Sequence, residues 1–170
     1  MERLREDEWV PHFNAQLYEG EWSGVALRSV GGRPQQLYPD PGAEAAFEDT
    51  ETLHRSPALA EAVATFLCPL QAVRLLRLGP GASVGEHRDY RLGYEDGELR
   101  IHVPVTSGPG VEFELDGRPV PMLPGEVWYV DVNRPHRVAN RGRTPRVNLV
   151  LDCVVNDWLT QMLEGGEALP

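Results

Sequence analysis

The sequence predicts a mainly β protein, a small jelly-roll sandwich or barrel with a few helices packed on its outside. Three observations support this fold class. Short apolar segments recur at spacings near ten residues, and glycine and proline (17 Gly and 15 Pro) separate them. Only two segments carry helix signals. Strands of this length and spacing, divided by turn residues, are typical of all-β sandwiches and barrels.

Six segments have the composition of β-strands. They span residues 72–78, 99–105, 111–115, 118–123, 126–132 and 146–155. The pair Asp116-Gly117 follows the third segment directly, and Asp-Gly is favoured in two-residue hairpin turns because both positions adopt positive φ readily. We therefore expect the third and fourth segments to form a hairpin.

Two segments have the features of helices. Residues 57–67, "PALAEAVATFL", follow Ser56 as a candidate N-cap, and Pro57 suits the first helical position. Residues 157–164 follow Asn156 as a second candidate cap and end at a Gly-Gly pair. Both helices would support the β-sheets from outside.

The size and charge of the chain exclude several classes of function. At 170 residues it is large enough for one core, so we expect a single domain over residues 1–170. The formal net charge of −10 opposes binding to nucleic acid or to an anionic membrane surface. No signal segment and no membrane-spanning apolar run is present, so we expect a cytoplasmic protein. These features leave the oligomeric state open.

Two cysteines, Cys68 and Cys153, lie in the apolar segments "TFLCPL" and "LDCVV". We interpret them as buried free thiols, with a disulfide between them as the alternative. Two cysteines do not make a disulfide framework of the kind that stabilises small secreted domains.

The most informative stretch is "GEHRDYRLG", which contains His87 and Asp89. In an extended segment these two side chains lie on the same side, as two ligands of one metal must. Alone, a His-x-Asp triplet is a weak signal, and a hydrogen-bonded surface pair would explain it equally well.

A second histidine, His136, follows 49 residues later in "PGEVWYVDVNRPHRVANRG". His87, Asp89 and His136 together supply two imidazoles and one carboxylate. Bound to one face of Fe(II), such a set leaves coordination positions open for a co-substrate and O₂. The sequence therefore predicts an iron site with these three ligands, which are also the candidate catalytic residues.

Three arginines and a histidine are candidate ligand-binding residues. Arg146 begins the last strand, where a guanidinium needs a carboxylate partner; this could be 2-oxoglutarate or, alternatively, Asp152 or another acidic residue. Arg100 and His102 share one face of the strand "LRIHVPV" and would point into a cavity, although His102 could equally satisfy a core hydrogen bond. Arg74 and Arg100 are candidates for binding a substrate carboxylate.

The motifs "HRD", "LRIHVPV", "PGEVWYVDVNRPHRVANRG" and "PRVNLVLD" resemble the aspartyl/asparaginyl β-hydroxylase family. That family includes bacterial hydroxylases of free amino acids such as the cis-4-proline hydroxylases. The resemblance covers roughly residues 12 to 158. It implies a double-stranded β-helix of cupin-like type that uses Fe(II), 2-oxoglutarate and O₂.

Carried over to this sequence, the resemblance implies that His87, Asp89 and His136 hold iron and that Arg146 pairs with 2-oxoglutarate. It also implies that His102 and Arg100 contact the co-substrate or the substrate. The expected function is therefore a 2-oxoglutarate-dependent dioxygenase that hydroxylates a free or peptidyl amino acid and releases succinate and CO₂. The alternatives are a cupin-type metalloenzyme without 2-oxoglutarate and a non-catalytic module that senses a small acid or a metal.

Overall fold

A computed structural model describes residues 4–38 and 45–166. Its strands, in chain order, are β1 Val10–Pro11, β2 Tyr18–Glu19, β3 Trp22–Val30, β4 Phe47–Asp49, β5 Leu70–Leu78, β6 Ser83–His87, β7 Glu98–Thr106, β8 Val111–Leu115, β9 Arg118–Pro119, β10 Trp128–Tyr129, β11 His136–Asn140 and β12 Arg146–Val154. Its α-helices are α1 Glu51–His54, α2 Pro57–Ala64 and α3 Asp157–Glu164.

The strands form two antiparallel sheets. The larger sheet has the order β1-β3-β5-β12-β7-β10, with β4 added beside β3. The smaller sheet has the order β2-β6-β11-β8-β9. Neighbours in both sheets are rarely consecutive in sequence, as in a jelly roll, so the predicted mainly β, jelly-roll or cupin-like fold is confirmed.

The larger sheet has two chemically different faces, because side chains alternate along each strand. On β12, Leu149, Leu151 and Cys153 point to one face and belong to the main apolar cluster. That cluster also contains Val63 of α2 and Leu159 of α3, so the outer face of the sheet packs against the helices. The opposite face carries the polar side chains of the same strands and turns toward the smaller sheet.

The predicted helices form, with one difference in length. α3 begins after Asn156, whose side chain accepts a hydrogen bond from the Leu159 N–H at 3.0 Å. Ser56 occupies the N-cap position of α2, but its side chain makes no capping hydrogen bond. α2 ends at Ala64 instead of residue 67, and Thr65, which still has helical backbone angles, is its C-cap.

The predicted strands 118–123 and 126–132 are much shorter in the structure, at Arg118–Pro119 and Trp128–Tyr129. Prolines at 119, 121 and 124 explain the first difference, since each lacks the N–H that a sheet ladder needs. The predicted hairpin is present: Asp116 and Gly117 both have positive φ, at 50° and 70°, and β8 pairs with β9.

Sequence patterns did not predict six further strands, namely β1, β2, β3, β4, β6 and β11. β6 and β11 are each five residues long. β6 ends at His87, and β11 begins at His136. Cys68 and Cys153 are buried and free, as predicted. No helix in the described part of the chain is long and apolar enough to cross a membrane.

Asn140 joins the two sheets through its fully buried side chain. Its Nδ2 donates to the carbonyl oxygens of Leu78 at 3.0 Å and Thr144 at 2.9 Å, and its Oδ1 accepts from the Gly142 N–H at 3.0 Å. Because Leu78 ends β5 and Asn140 ends β11, this side chain fixes the spacing of the sheets at one edge.

We predict that Asn140→Ala lowers the free energy of unfolding by about 2–4 kcal/mol, because it leaves buried backbone groups without partners. Urea unfolding followed by circular dichroism measures the change. Thr65→Ala, at an exposed position after α2, is the control and should shift the free energy by less than about 0.5 kcal/mol. Equal stabilities of the two variants would contradict the role given to Asn140.

Candidate functional site

The smaller sheet brings together the residues predicted to bind a metal. His87 ends β6 and lies directly opposite His136, the first residue of β11. Asp89 follows two residues later, and its backbone N–H donates to the Val132 carbonyl at 2.8 Å. The potential ligand atoms of His87, Asp89 and His136 all lie within 4.8 Å of one another, which is close enough to share one ion.

Hydrogen bonds orient both imidazole rings toward this common point. His87 Nδ1 lies 2.9 Å from the Gly85 carbonyl oxygen, and His136 Nδ1 lies 3.0 Å from the Arg134 carbonyl oxygen. A carbonyl only accepts, so each Nδ1 carries the proton and each Nε2 offers a lone pair. Burial also lowers the pKa of His136, which favours the neutral imidazole that a metal requires.

A chain of ion pairs, buried at Asp152 and part-buried at Asp89, holds the third candidate ligand. One carboxylate oxygen of Asp89 accepts a hydrogen bond from Arg100 Nη1. The other side of the same guanidinium binds Asp152, with Nε 2.6 Å from Oδ1 and Nη2 3.1 Å from Oδ2. Arg74 Nη1 also donates to Asp152 Oδ2, at 2.9 Å. Arg100 thus directs its hydrogen bonds to two carboxylates of the protein. This arrangement suits a residue that positions Asp89 better than one that binds a ligand directly.

Arg146 is buried without an acidic partner among the described residues. It is 7% exposed, and its Nη2 has no hydrogen-bond partner there. Burial lowers the pKa of Arg146 to about 10, since no carboxylate offsets the loss of solvent. The alternative pairing with Asp152 does not form: both residues belong to β12, and six strand residues separate their Cα atoms by about 20 Å.

His102 lies on the same face of the larger sheet. Its Nδ1 is 2.8 Å from Asn148 Nδ2, and its Nε2 has no partner among the described residues. Burial lowers the pKa of His102 well below its usual value, and the nearby charges of Arg100 and Arg146 lower it further. An Nδ1 that accepts from the amide leaves Nε2 as an N–H donor at the cavity wall.

A cavity of about 240 Å³ lies between the two sheets and connects these groups. All seven side chains predicted as site residues line it: His87, Asp89, His136, Arg146, His102, Arg100 and Arg74. The predicted orientation of Arg100 and His102, away from the apolar face of β7, is what the structure shows. The volume lies below the range of about 300–1,000 Å³ that is usual for drug-sized ligands, so the cavity suits small molecules.

Sequence reasoning missed an aromatic cluster at one side of this cavity. His12 stacks on Trp22 with ring centroids 3.4 Å apart, and Phe13 and Tyr38 pack around it. Burial, helped by the charge of Arg74, lowers the pKa of His12 to about 4, so the ring is neutral near pH 7. The segment that contains His12 has no ligand-type spacing, and only the pairing of β1 with β3 places it here.

The family model for aspartyl/asparaginyl β-hydroxylases matches residues 1–155 of the chain. The chain belongs to this family. The resemblance that the sequence motifs predicted is therefore confirmed.

Two curated proteins show the range of relatives. L-proline cis-4-hydroxylase of Rhizobium meliloti (strain 1021) is 27% identical over 146 residues, which cover 78% of this chain and 48% of that protein. The oxalate-binding protein of Thermotoga maritima is 35% identical over 69 residues, 41% of this chain and 50% of that protein. The chain spans about half the length of the curated relatives it matches.

Among solved structures, the plu4264 protein of Photorhabdus luminescens is similar, with a TM-score of 0.50, 10% identity and coverage of 96% of this chain and 95% of that one. At this identity the likeness concerns the fold alone.

We predict that acidification destabilises the metal-free protein between about pH 6.5 and pH 4. The unfolded chain protonates its histidines near pH 6.5, whereas buried His12 stays neutral down to about pH 4. The unfolded state therefore binds more protons in this window, and the free energy of unfolding falls as pH falls.

His12→Phe should remove up to about 3 kcal/mol of this pH dependence. His54→Phe, at an exposed position in α1, is the control and should retain it. Urea unfolding in the presence of a chelator at several pH values gives the comparison. A wild-type pH profile for His12→Phe would contradict the burial of a neutral ring.

Proposed function

We propose that the protein is an Fe(II)- and 2-oxoglutarate-dependent dioxygenase that hydroxylates a C–H bond of an amino acid and releases succinate and CO₂. The observation that carries this proposal is the buried, unpaired Arg146 on the wall of the cavity that also holds the His-Asp-His cluster. Family membership supports the reaction class.

The donor set fits Fe(II). Two imidazole Nε2 atoms and one carboxylate oxygen make up the set typical of non-haem iron oxygenases, and their convergence from one sheet leaves the cavity side open. Bound iron together with 2-oxoglutarate and O₂ supplies the oxidising chemistry that no side chain can provide. The protein would contribute the three ligands His87, Asp89 and His136, and a cavity with restricted access to water.

Arg146 would bind the distal carboxylate of 2-oxoglutarate. Its guanidinium is buried and charged, and a carboxylate is the partner that such a fork accepts most strongly. His102 would donate through Nε2 to the co-substrate or the substrate. Arg100 would hold the oxygen of Asp89 that does not face the metal, because it already binds that carboxylate.

An amino acid is the substrate class that the relatives favour, since the name of one of them specifies a proline hydroxylase. A small-molecule substrate also suits the cavity volume. We infer in addition a single catalytic domain over residues 1–170 and a cytoplasmic location, with neither nucleic acid nor membrane as a partner; the net charge of −10 supports the exclusion of polyanions.

The second candidate function is a cupin-type protein that binds a small acid at a metal without using 2-oxoglutarate, as an enzyme or as a sensor. The partial match to an oxalate-binding protein favours it. Under this alternative Arg146 would bind the small acid directly, and 2-oxoglutarate would not be consumed.

We predict that the anaerobic apoprotein develops a weak visible charge-transfer band only when Fe(II) and 2-oxoglutarate are both added. Asp89→Ala should abolish the band at Fe(II) concentrations that saturate the wild type, because it removes the charged ligand. Arg146→Ala should weaken the affinity for 2-oxoglutarate by at least about tenfold, in line with loss of a charge-assisted ion pair.

Arg137→Ala is the matched arginine control, because Arg137 pairs with Glu114 on the exposed side of β11. It should titrate like the wild type. Iron binding without a 2-oxoglutarate-dependent band would reject the dioxygenase and leave the cupin-type alternative. A band combined with succinate release in the presence of an amino acid would support the full reaction.

A further inference from the structure

Arg74 has an open hydrogen-bonding edge at the cavity. It lies on the cavity face of β5 and is 1% exposed. Its Nη1 donates to Asp152, but Nε and Nη2 have no partner among the described residues. A buried cation with two unsatisfied N–H groups is costly unless a ligand satisfies them.

The same edge of a guanidinium binds carboxylates at two other places in this structure. Arg100 uses Nε and Nη2 for the two oxygens of Asp152. Arg137 uses Nε and Nη2 for the two oxygens of Glu114, at 2.9 Å and 2.7 Å. These atoms form the side-on fork that matches the two oxygens of a carboxylate. The free fork of Arg74 therefore has the geometry of a carboxylate site.

Two neighbouring groups add donors to this site. The Tyr38 ring lies 4.9 Å from the Arg74 guanidinium carbon, and its buried hydroxyl has no partner among the described residues. Burial raises the pKa of Tyr38, so the hydroxyl keeps its proton. His12 Nδ1 accepts from the Asn14 N–H at 3.1 Å, which leaves Nε2 of the neutral ring as a donor. Three donor side chains thus line one part of the cavity.

This part is separate from the proposed 2-oxoglutarate anchor. Arg146 on β12 lies opposite Leu78 on β5, and Arg74 lies four residues before Leu78 on the same strand. Four strand residues separate the two positions by about 13 Å. Four arginines (Arg74, Arg88, Arg100 and Arg146) line the cavity, and the carboxylates beside them are Asp89 on the cavity wall and Asp152, which binds Arg74 and Arg100. The charge of the cavity favours a second anion in addition to 2-oxoglutarate.

We propose that Arg74, together with Tyr38 and His12, binds the free carboxylate of the substrate, and that the substrate is accordingly a free amino acid and not a residue inside a peptide. The proposal rests on the proposed function and names the substrate class of that site. Arg74 would form the side-on ion pair, while Tyr38 and His12 would donate to the remaining lone pairs.

The test compares carboxylates with carboxamides. The anaerobic protein with Fe(II) and 2-oxoglutarate is titrated with each of the twenty common L-amino acids, and those that bind are compared with their C-terminal amides and with tripeptides carrying the same residue in the middle. Binding is read from the shift of the visible band and, independently of 2-oxoglutarate, from the shift of the thermal unfolding midpoint of the Fe(II)-loaded protein.

We expect at least one amino acid to bind, with its amide and tripeptide at least about 100-fold weaker, because the amide leaves the fork of Arg74 unsatisfied. Arg74→Lys, which keeps the positive charge beside Asp152, should lose most of this discrimination while 2-oxoglutarate affinity changes less than about threefold. Tyr38→Phe, which removes only the hydroxyl, should weaken amino-acid binding by roughly fivefold. Arg77→Lys, on the outer face of β5 and paired with Glu6 and Glu21, is the control and should match the wild type.

Equal affinities for the amino acid and its amide, or binding of tripeptides alone, would overturn the carboxylate site. If the 2-oxoglutarate band were normal in that case, the proposed function would remain intact. Loss of 2-oxoglutarate affinity in Arg74→Lys equal to the loss of amino-acid affinity would also overturn it. Absence of the band would reject the proposed function, and the thermal comparison of acids with amides would then decide the carboxylate site by itself.

Discussion

The site depends on one buried carboxylate, that of Asp152. Burial opposes its ionisation, but the guanidinium groups of Arg100 and Arg74 hold the pKa of Asp152 well below its usual range. Asp152 therefore stays charged and fixes both arginines on the cavity wall. Arg100 extends this order to Asp89, whereas Arg74 keeps one edge open. Removing Asp152 would leave the buried guanidinium of Arg74 without a carboxylate and that of Arg100 with Asp89 alone, which is more costly than losing a surface ion pair.

The larger sheet can carry this buried charge because it turns its apolar face away from the cavity. Leu75, Leu149 and Ile101 come from its three central strands and pack in the main apolar cluster against the helices. Strand alternation then places Arg74, Val150 and His102 on the opposite face, in register across β5, β12 and β7. The hydrophobic effect thus acts mainly between sheet and helices, and the space between the sheets remains available for a metal and small acids.

Alternation of polar and apolar residues along single strands, such as "LRIHVPV", predicted the fold class and the side of β7 that faces the cavity. The convergence of His87 with His136 followed from motif spacing combined with a family resemblance. Pairing between distant strands was not predictable in this way. Asp152 meets Arg100 because the register of β12 with β7 places the two residues opposite each other. That register is a tertiary property, and no pattern within one strand reports it.

The aromatic cluster at the cavity was likewise not predictable from patterns within single strands, and it has a functional consequence. Trp22 and Ala26 lie opposite Leu78 and Arg74 on β5. An alanine beside Arg74 leaves room above the guanidinium, and the Tyr38 ring lies over that group. His12 is stacked on Trp22 and remains neutral, so it adds a donor without adding charge. A wall built in this way can discriminate a carboxylate from an amide by unsatisfied hydrogen bonds instead of by size, which is the stronger of the two means of selection.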